Sequence, residues 1–181
     1  MRLNQFAAKH VRDVERGSLV MFGFRGQTVL GMILATTDPE ELPTKPFLVL
    51  SGEFAAERGP CIVDTGQVVT CLDLGSNFYV RPSLSETSVA FGSDVMTRSP
   101  GTLLLSGTDV YLYASSINDR LRGDGQRLVN LMTGACELQA PSRHSVEFKN
   151  WSLHLGTGED RYDLGTWPLP LMKTAEVWAK L

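Results

Sequence analysis

Only three cysteines and three histidines occur among the 181 residues, and none stands at a metal-ligating spacing from another. Cys61, Cys71 and Cys136 are an odd number set among β-forming residues, which suits small core hydrophobes better than a disulfide framework. The longest nearly uninterrupted apolar run covers residues 29–35. That is far short of the roughly eighteen residues that cross a bilayer. Asn4, Gln5, Lys9, His10, Arg12 and Asp13 interrupt the apolar positions at the start, so no signal-peptide core is expected and the expected compartment is cytoplasmic. Positive charge is not in excess either. With 17 basic and 20 acidic side chains the net charge is −3, which removes general affinity for a phosphate backbone. There is no Gly-x-Ser-x-Gly elbow and no His-Glu-x-x-His helix. The glycine-rich pieces Gly123-Asp124-Gly125 and Gly156-Thr157-Gly158 lack the Lys-Ser/Thr of a phosphate loop and read as turns. No cofactor and no metal are expected.

What is present is an ordinary globular composition, 43% hydrophobic and 20% charged, in a chain long enough for one or two small domains. The charge is unevenly placed. Residues 1–36 hold five basic and two acidic side chains, whereas residues 37–94 hold three and nine. Leu3, Phe6, Ala7, His10, Val11 and Val14 recur at three- and four-residue spacing, with Gly17 in the capping position, and predict a helix over 1–16. From residue 18 the pattern changes to short segments rich in Val, Leu, Phe and Thr. Strands are predicted over 18–24, 28–36, 47–51, 61–63, 68–72, 78–81, 102–106, 110–115, 127–131, 135–138, 145–148 and 151–155. A further strand at 88–91 is one reading of the stretch 82–101, the other being a linker or crossover. Pro168 and Pro170, followed by Leu171, Met172, Ala175, Trp178 and Leu181, predict a closing helix.

The expected fold is therefore all-β, a mainly antiparallel barrel or sandwich with short N-terminal and C-terminal helices. Its organisation reads as a helix over 1–16, a β unit over 17–81, the crossover 82–101, a second β unit over 102–166 and a helix over 167–181. These form one compact domain or two small similar subdomains. Loops closed by Gly66 and Gly134 predict two hairpins, the first placing Cys61 and Cys71 on one core-facing side. A third hairpin, turning at Lys149-Asn150, pairs Phe148 with Trp151 and sets Ser145, Glu147, Ser152 and His154 on a common polar face. A serine, a histidine and a carboxylate together invite a nucleophile-and-base reading. On a flat hairpin, however, they project into water side by side with no oxyanion donors, and a solvated face is expected. Tyr111 and Tyr113 alternate against Val110, Leu112 and Ala114, just as Asn77, Tyr79 and Arg81 alternate against Phe78 and Val80. Tyrosines placed away from the aliphatic face are amphipathic contact residues or the cover of a second core layer.

These patterns favour a non-catalytic cytosolic binding or assembly module, working through self-association as a homo-oligomer or through another protein. The rival is a small-ligand binder or enzyme with a pocket at a barrel mouth. The residues singled out for ligand or partner contact are Tyr111, Tyr113, Glu147 and His154, and no catalytic residue is assigned. Neither a membrane nor nucleic acid in general is an expected partner.

Overall fold

The computed structural model describes residues 6–35, 46–64, 70–85, 89–91, 99–116, 125–137, 145–156 and 161–168, and these form fifteen strands. In the first half they are β1 (Ala7–His10), β2 (Leu19–Phe24), β3 (Gln27–Ile33), β4 (Pro46–Val49), β5 (Cys61–Asp64), β6 (Thr70–Gly75), β7 (Phe78–Pro82) and β8 (Val89–Phe91). There follow β9 (Leu103–Ser106), β10 (Asp109–Ser116), β11 (Gln126–Asn130), β12 (Cys136–Glu137), β13 (Val146–Phe148), β14 (Trp151–Leu155) and β15 (Tyr162–Trp167). A 3-10 turn (Val11–Asp13) and the short helix α1 (Glu53–Arg58) complete the elements.

Strands β2 to β5 are apolar at nearly every position, which is what burial of both faces demands. Leu19, Met21, Leu30, Met32, Leu48 and Ile62 point into one cluster, while Val20, Phe22, Val29, Ile33, Phe47, Val49, Cys61 and Val63 point into another. The second cluster is closed by Val11 and Val14 at the 3-10 turn and by Ala55 of α1. The first is closed by a separate sheet, ordered β15-β14-β7, which contributes Trp151, Leu153, Leu155 and Leu164. The large sheet runs β1-β6-β2-β3-β4-β5-β10-β9-β13-β8, with β11 and β12 branching from β10. Its described pairings are antiparallel except β5 with β10, where Ser115 and Ser116 lie beside Cys61 and Ile62.

The all-β class holds, but the expected β-barrel does not. The path ends at β1 and β8, which do not pair with each other, so the sheet is open. Its inner face is buried by the smaller sheet instead of by closure on itself, giving a sandwich-like arrangement. Nor is there an N-terminal helix among the described residues. Ala7–His10 pairs antiparallel with Asp73–Thr70, and Lys9 Nζ donates to Asp73 Oδ2 at 2.7 Å. The three-residue spacing of Val11 and Val14 is met by a 3-10 turn, whose period is three and which a sequence pattern does not separate from an α-helix. Gly17 does take a left-handed conformation, φ +78°. Its role is close approach: its N–H donates to Ile33 O, and Gly134 of the β11–β12 turn packs on its backbone. The predicted C-terminal helix lies outside the described residues beyond Pro168.

Two of the three predicted hairpins are absent for a common reason. Strand β5 pairs with β4 and β10, whereas β6 pairs with β1 and β2; likewise β13 pairs with β8 and β9, whereas β14 pairs with β7 and β15. At Lys149-Asn150 the chain passes from one sheet to the other instead of doubling back. Local turn chemistry is satisfied by either path, and burial of Trp151 and Leu153 between the layers selects the crossing. The β11–β12 hairpin does form, with Gly134 at φ +69° and Asn130 N–H donating to Ala135 O at 2.9 Å.

Candidate functional site

The polar face expected on one hairpin is divided between the two sheets. Glu147 sits opposite Leu104, Leu104 opposite Tyr111, and Tyr111 opposite Asn130, so these four occupy one rung on one face of the large sheet. Tyr113, two residues on, shares that face and packs with Tyr111, Leu104 and Leu128. Three of the four residues singled out from sequence thus come together, and all three are buried: Tyr111 and Tyr113 are 6% exposed and Glu147 4%. Tyr113 Oη donates to Gln126 Oε1 at 2.6 Å. Burial raises the pKa of Tyr111, with the carboxylates of Glu137 and Asp109 adding to the effect.

His154 lies apart, on the outer face of the small sheet. Period-two alternation on β14 sends Trp151, Leu153 and Leu155 inward and leaves Ser152 and His154 outward. Register then sets their neighbours: Arg81 and Thr166 flank Ser152, while Tyr79 and Asp163 flank His154. A β-bulge between Leu153 and His154 shifts the register of β15, so Leu164 turns into the core while Asp163 stays beside the imidazole. Asp163 Oδ1 is held by the Gly165 N–H at 2.9 Å.

The solvated face expected at His154 is not found. The residue is only 4% exposed, and the ring of Tyr79 stacks on it at 5.0 Å between centroids with planes 21° apart. Ser152 Oγ and His154 Nε2 are hydrogen-bonded at 2.8 Å. Nδ1 has no hydrogen-bond partner among the described residues, and Asp163 Oδ1 stands 3.9 Å from it. Burial lowers the imidazole pKa; Asp163 opposes that shift, and Arg161 and Arg81 reinforce it.

The lowered value links His154 to stability. The folded chain binds this proton more weakly than the unfolded chain, so His154 contributes stability above the ordinary value of 6.5 that is lost as the pH falls below it. Urea midpoints should accordingly be lower at about pH 5 than at about pH 7.5, and His154→Gln should narrow the gap. An unchanged gap would assign the acid sensitivity to other groups.

Ser152 also borders a cleft of about 660 Å³ at the end of the small sheet. Arg81, Ser83, Asn150, Ser152 and Thr166 supply its polar lining, and Leu84, Pro82, Trp167 and Pro168 its apolar lining. Leu84, at the rim of the cleft, is 81% exposed. Among the described residues, the lining holds a cation and four neutral hydrogen-bonding side chains but no carboxylate. Among the described residues, no group of three or more His, Cys, Asp or Glu is placed to hold a metal ion.

Cys61 and Cys71 share the cluster beneath α1 as packed core residues. Burial pushes the Cys61 thiol up to about 12 and the Cys136 thiol to about 11, which leaves both poor nucleophiles near neutrality. No helix among the described residues is long and apolar enough to cross a membrane.

Sequence reasoning reached Ser152 and His154 as a pair and placed Tyr79 and Arg81 on one face, but did not connect them. Asp163 was missed because β15 was not read as a strand. The alternation of Tyr162 and Leu164 against Asp163 and Gly165 was the available signal. No protein-family model matches the chain, and neither a curated protein nor a solved structure matches it.

Proposed function

We propose that the protein is a cytoplasmic β-rich binding module that takes a small organic anion with an apolar flank in the cleft beside Trp151 and Trp167. The observation that carries this reading is the composition of the cleft. Arg81 stands there with Ser83, Asn150, Ser152 and Thr166, with no acidic group among the described lining residues, next to exposed apolar surface. An arginine recognises carboxylate or phosphate through paired, charge-assisted hydrogen bonds, and the neutral hydroxyls and amide fix the orientation. This seat replaces the barrel mouth considered from sequence. A small ligand is favoured over a second copy of the chain because the cleft offers a single cation, Arg81, with the hydrogen-bonding side chains of Ser83, Asn150, Ser152 and Thr166 around it.

Intrinsic fluorescence tests it, since two of the three tryptophans line the cleft. Titration with a panel of aromatic and aliphatic monocarboxylates and phosphate monoesters should give saturable changes for at least one class. Arg81→Gln should weaken that binding by roughly tenfold or more, the usual worth of a hydrogen bond to a charged group. Silence across the panel, or equal binding by Arg81→Gln, would overturn the reading.

A further inference from the structure

The His154 ring has two neutral tautomers, and its surroundings choose between them. With the proton on Nε2, the Nδ1 lone pair would face the Asp163 carboxylate at 3.9 Å, which is repulsive. With the proton on Nδ1, an N–H faces that carboxylate and the lone pair lies on Nε2, 2.8 Å from Ser152 Oγ. The second arrangement makes Nε2 an acceptor for the Ser152 hydroxyl, and at 2.8 Å it is nearer than the other acceptor in reach, Arg81 O at 3.5 Å. Tyr79 stacked on the ring and the burial of the side chain hold the imidazole in that plane.

We propose that Ser152 is an activated nucleophile with His154 as its general base and Asp163 as the group that sets the tautomer, and that esters of apolar carboxylic acids are the substrate class. The inference rests on the same cleft, because Ser152 borders it and the carboxylate formed by ester cleavage is the kind of anion Arg81 would hold. In the first step Oγ bonds to the ester carbonyl carbon while its proton passes to Nε2. The carbon–oxygen bond to the alcohol then breaks, and the departing oxygen takes the proton from Nε2. Water, deprotonated by the same nitrogen, attacks the acyl-serine; the acid is released and the serine hydroxyl is restored, so no other reactant is consumed. Arg81, directly across the register from Ser152, and Thr166 on the other flank supply the positive and hydrogen-bonding groups nearest the developing oxyanion.

The test is covalent labelling of the full chain with an alkyl fluorophosphonate, in which the Oγ–phosphorus bond forms and fluoride leaves. Intact mass and peptide mapping should find one adduct, on Ser152, whose rate of formation falls as the pH drops and His154 is protonated. Ser152→Ala should give none, and His154→Gln should slow the reaction by about a hundredfold or more. Asp163 is 61% exposed at its side chain, and asparagine keeps an acceptor for the Gly165 N–H, so Asp163→Asn provides a folded variant that loses only the charge. It should slow labelling at least about tenfold with the melting temperature unchanged. Absence of an adduct on Ser152, or an Asp163→Asn rate and pH profile equal to the parent's, would overturn the proposal. Saturable anion binding without an adduct would leave the cleft as a binding site and remove the nucleophile; an adduct without anion binding would do the reverse.

Discussion

Replacing Gly101 with alanine is expected to cost about 3 kcal/mol, which for a chain of this length lowers the melting temperature by about 6–12 °C. Two effects add. Gly101 has φ +98°, a conformation that L side chains rarely adopt, and a Cβ there would overlap the Cε2, Nε1 and Cζ2 atoms of Trp167. Moving the ring aside would disturb its stacking on Trp151, whose ring centroid lies 6.3 Å away. Gly101 also joins the layers through its backbone. Its N–H donates to Tyr113 O of the large sheet at 2.7 Å, and its carbonyl accepts from Trp151 Nε1 of the small sheet at 2.7 Å. Gly107→Ala is the control: φ is +62°, but nothing lies within 4 Å of the added carbon. It should lose only the conformational part, about 1 kcal/mol. Equal losses in the two variants would mean that Trp167 yields at no cost.

The contrast between those two glycines also shows which part of the fold is legible in the sequence. Alternation, β-branched and aromatic content and turn residues locate strands well, because each is a local property. The segment 151–155 is read as a strand and is one, 78–81 becomes Phe78–Pro82, and the optional strand at 88–91 appears as Val89–Phe91. Which strand lies beside which is not local. Nothing in Cys61–Asp64 announces a parallel partner more than fifty residues away at Ser115, and the turn-like Lys149-Asn150 pair serves a crossing between sheets as well as a hairpin. The helix read over 1–16 failed where a strand and a 3-10 turn share the apolar spacing of a longer helix. The candidate site inherits both outcomes. Ser152 and His154 are two apart on one strand, so their common face is legible. Tyr79 and Asp163 reach the imidazole only through register with β7 and β15, and the burial of His154 follows from that register.

Leu153→Ala should destabilise the chain by about 2–5 kcal/mol, read from urea unfolding midpoints. Leu153 is 1% exposed on the central strand of a three-stranded sheet, and its side chain belongs to the cluster that holds that sheet against β2, β3 and β10. A sheet of three strands gains independent stability only through a buried apolar face, so the vacancy weakens the docking of the whole layer and not one contact alone. Its neighbour gives the opposite result for a geometric reason. Ser152 points outward, and Ser152→Ala removes the hydrogen bond to Nε2 and the long one to Arg81 O at a net cost of about 1 kcal/mol. Adjacent residues on a strand face opposite sides, so the difference between these variants reads which side of β14 is core and which carries the polar array. A Ser152 variant that stays folded is also what makes its loss of labelling a statement about chemistry. If Leu153→Ala were as mild as Ser152→Ala, the small sheet would not be packed on the large one, and the Gly101 to Trp151 hydrogen bond could not be the joint that holds the cleft in place.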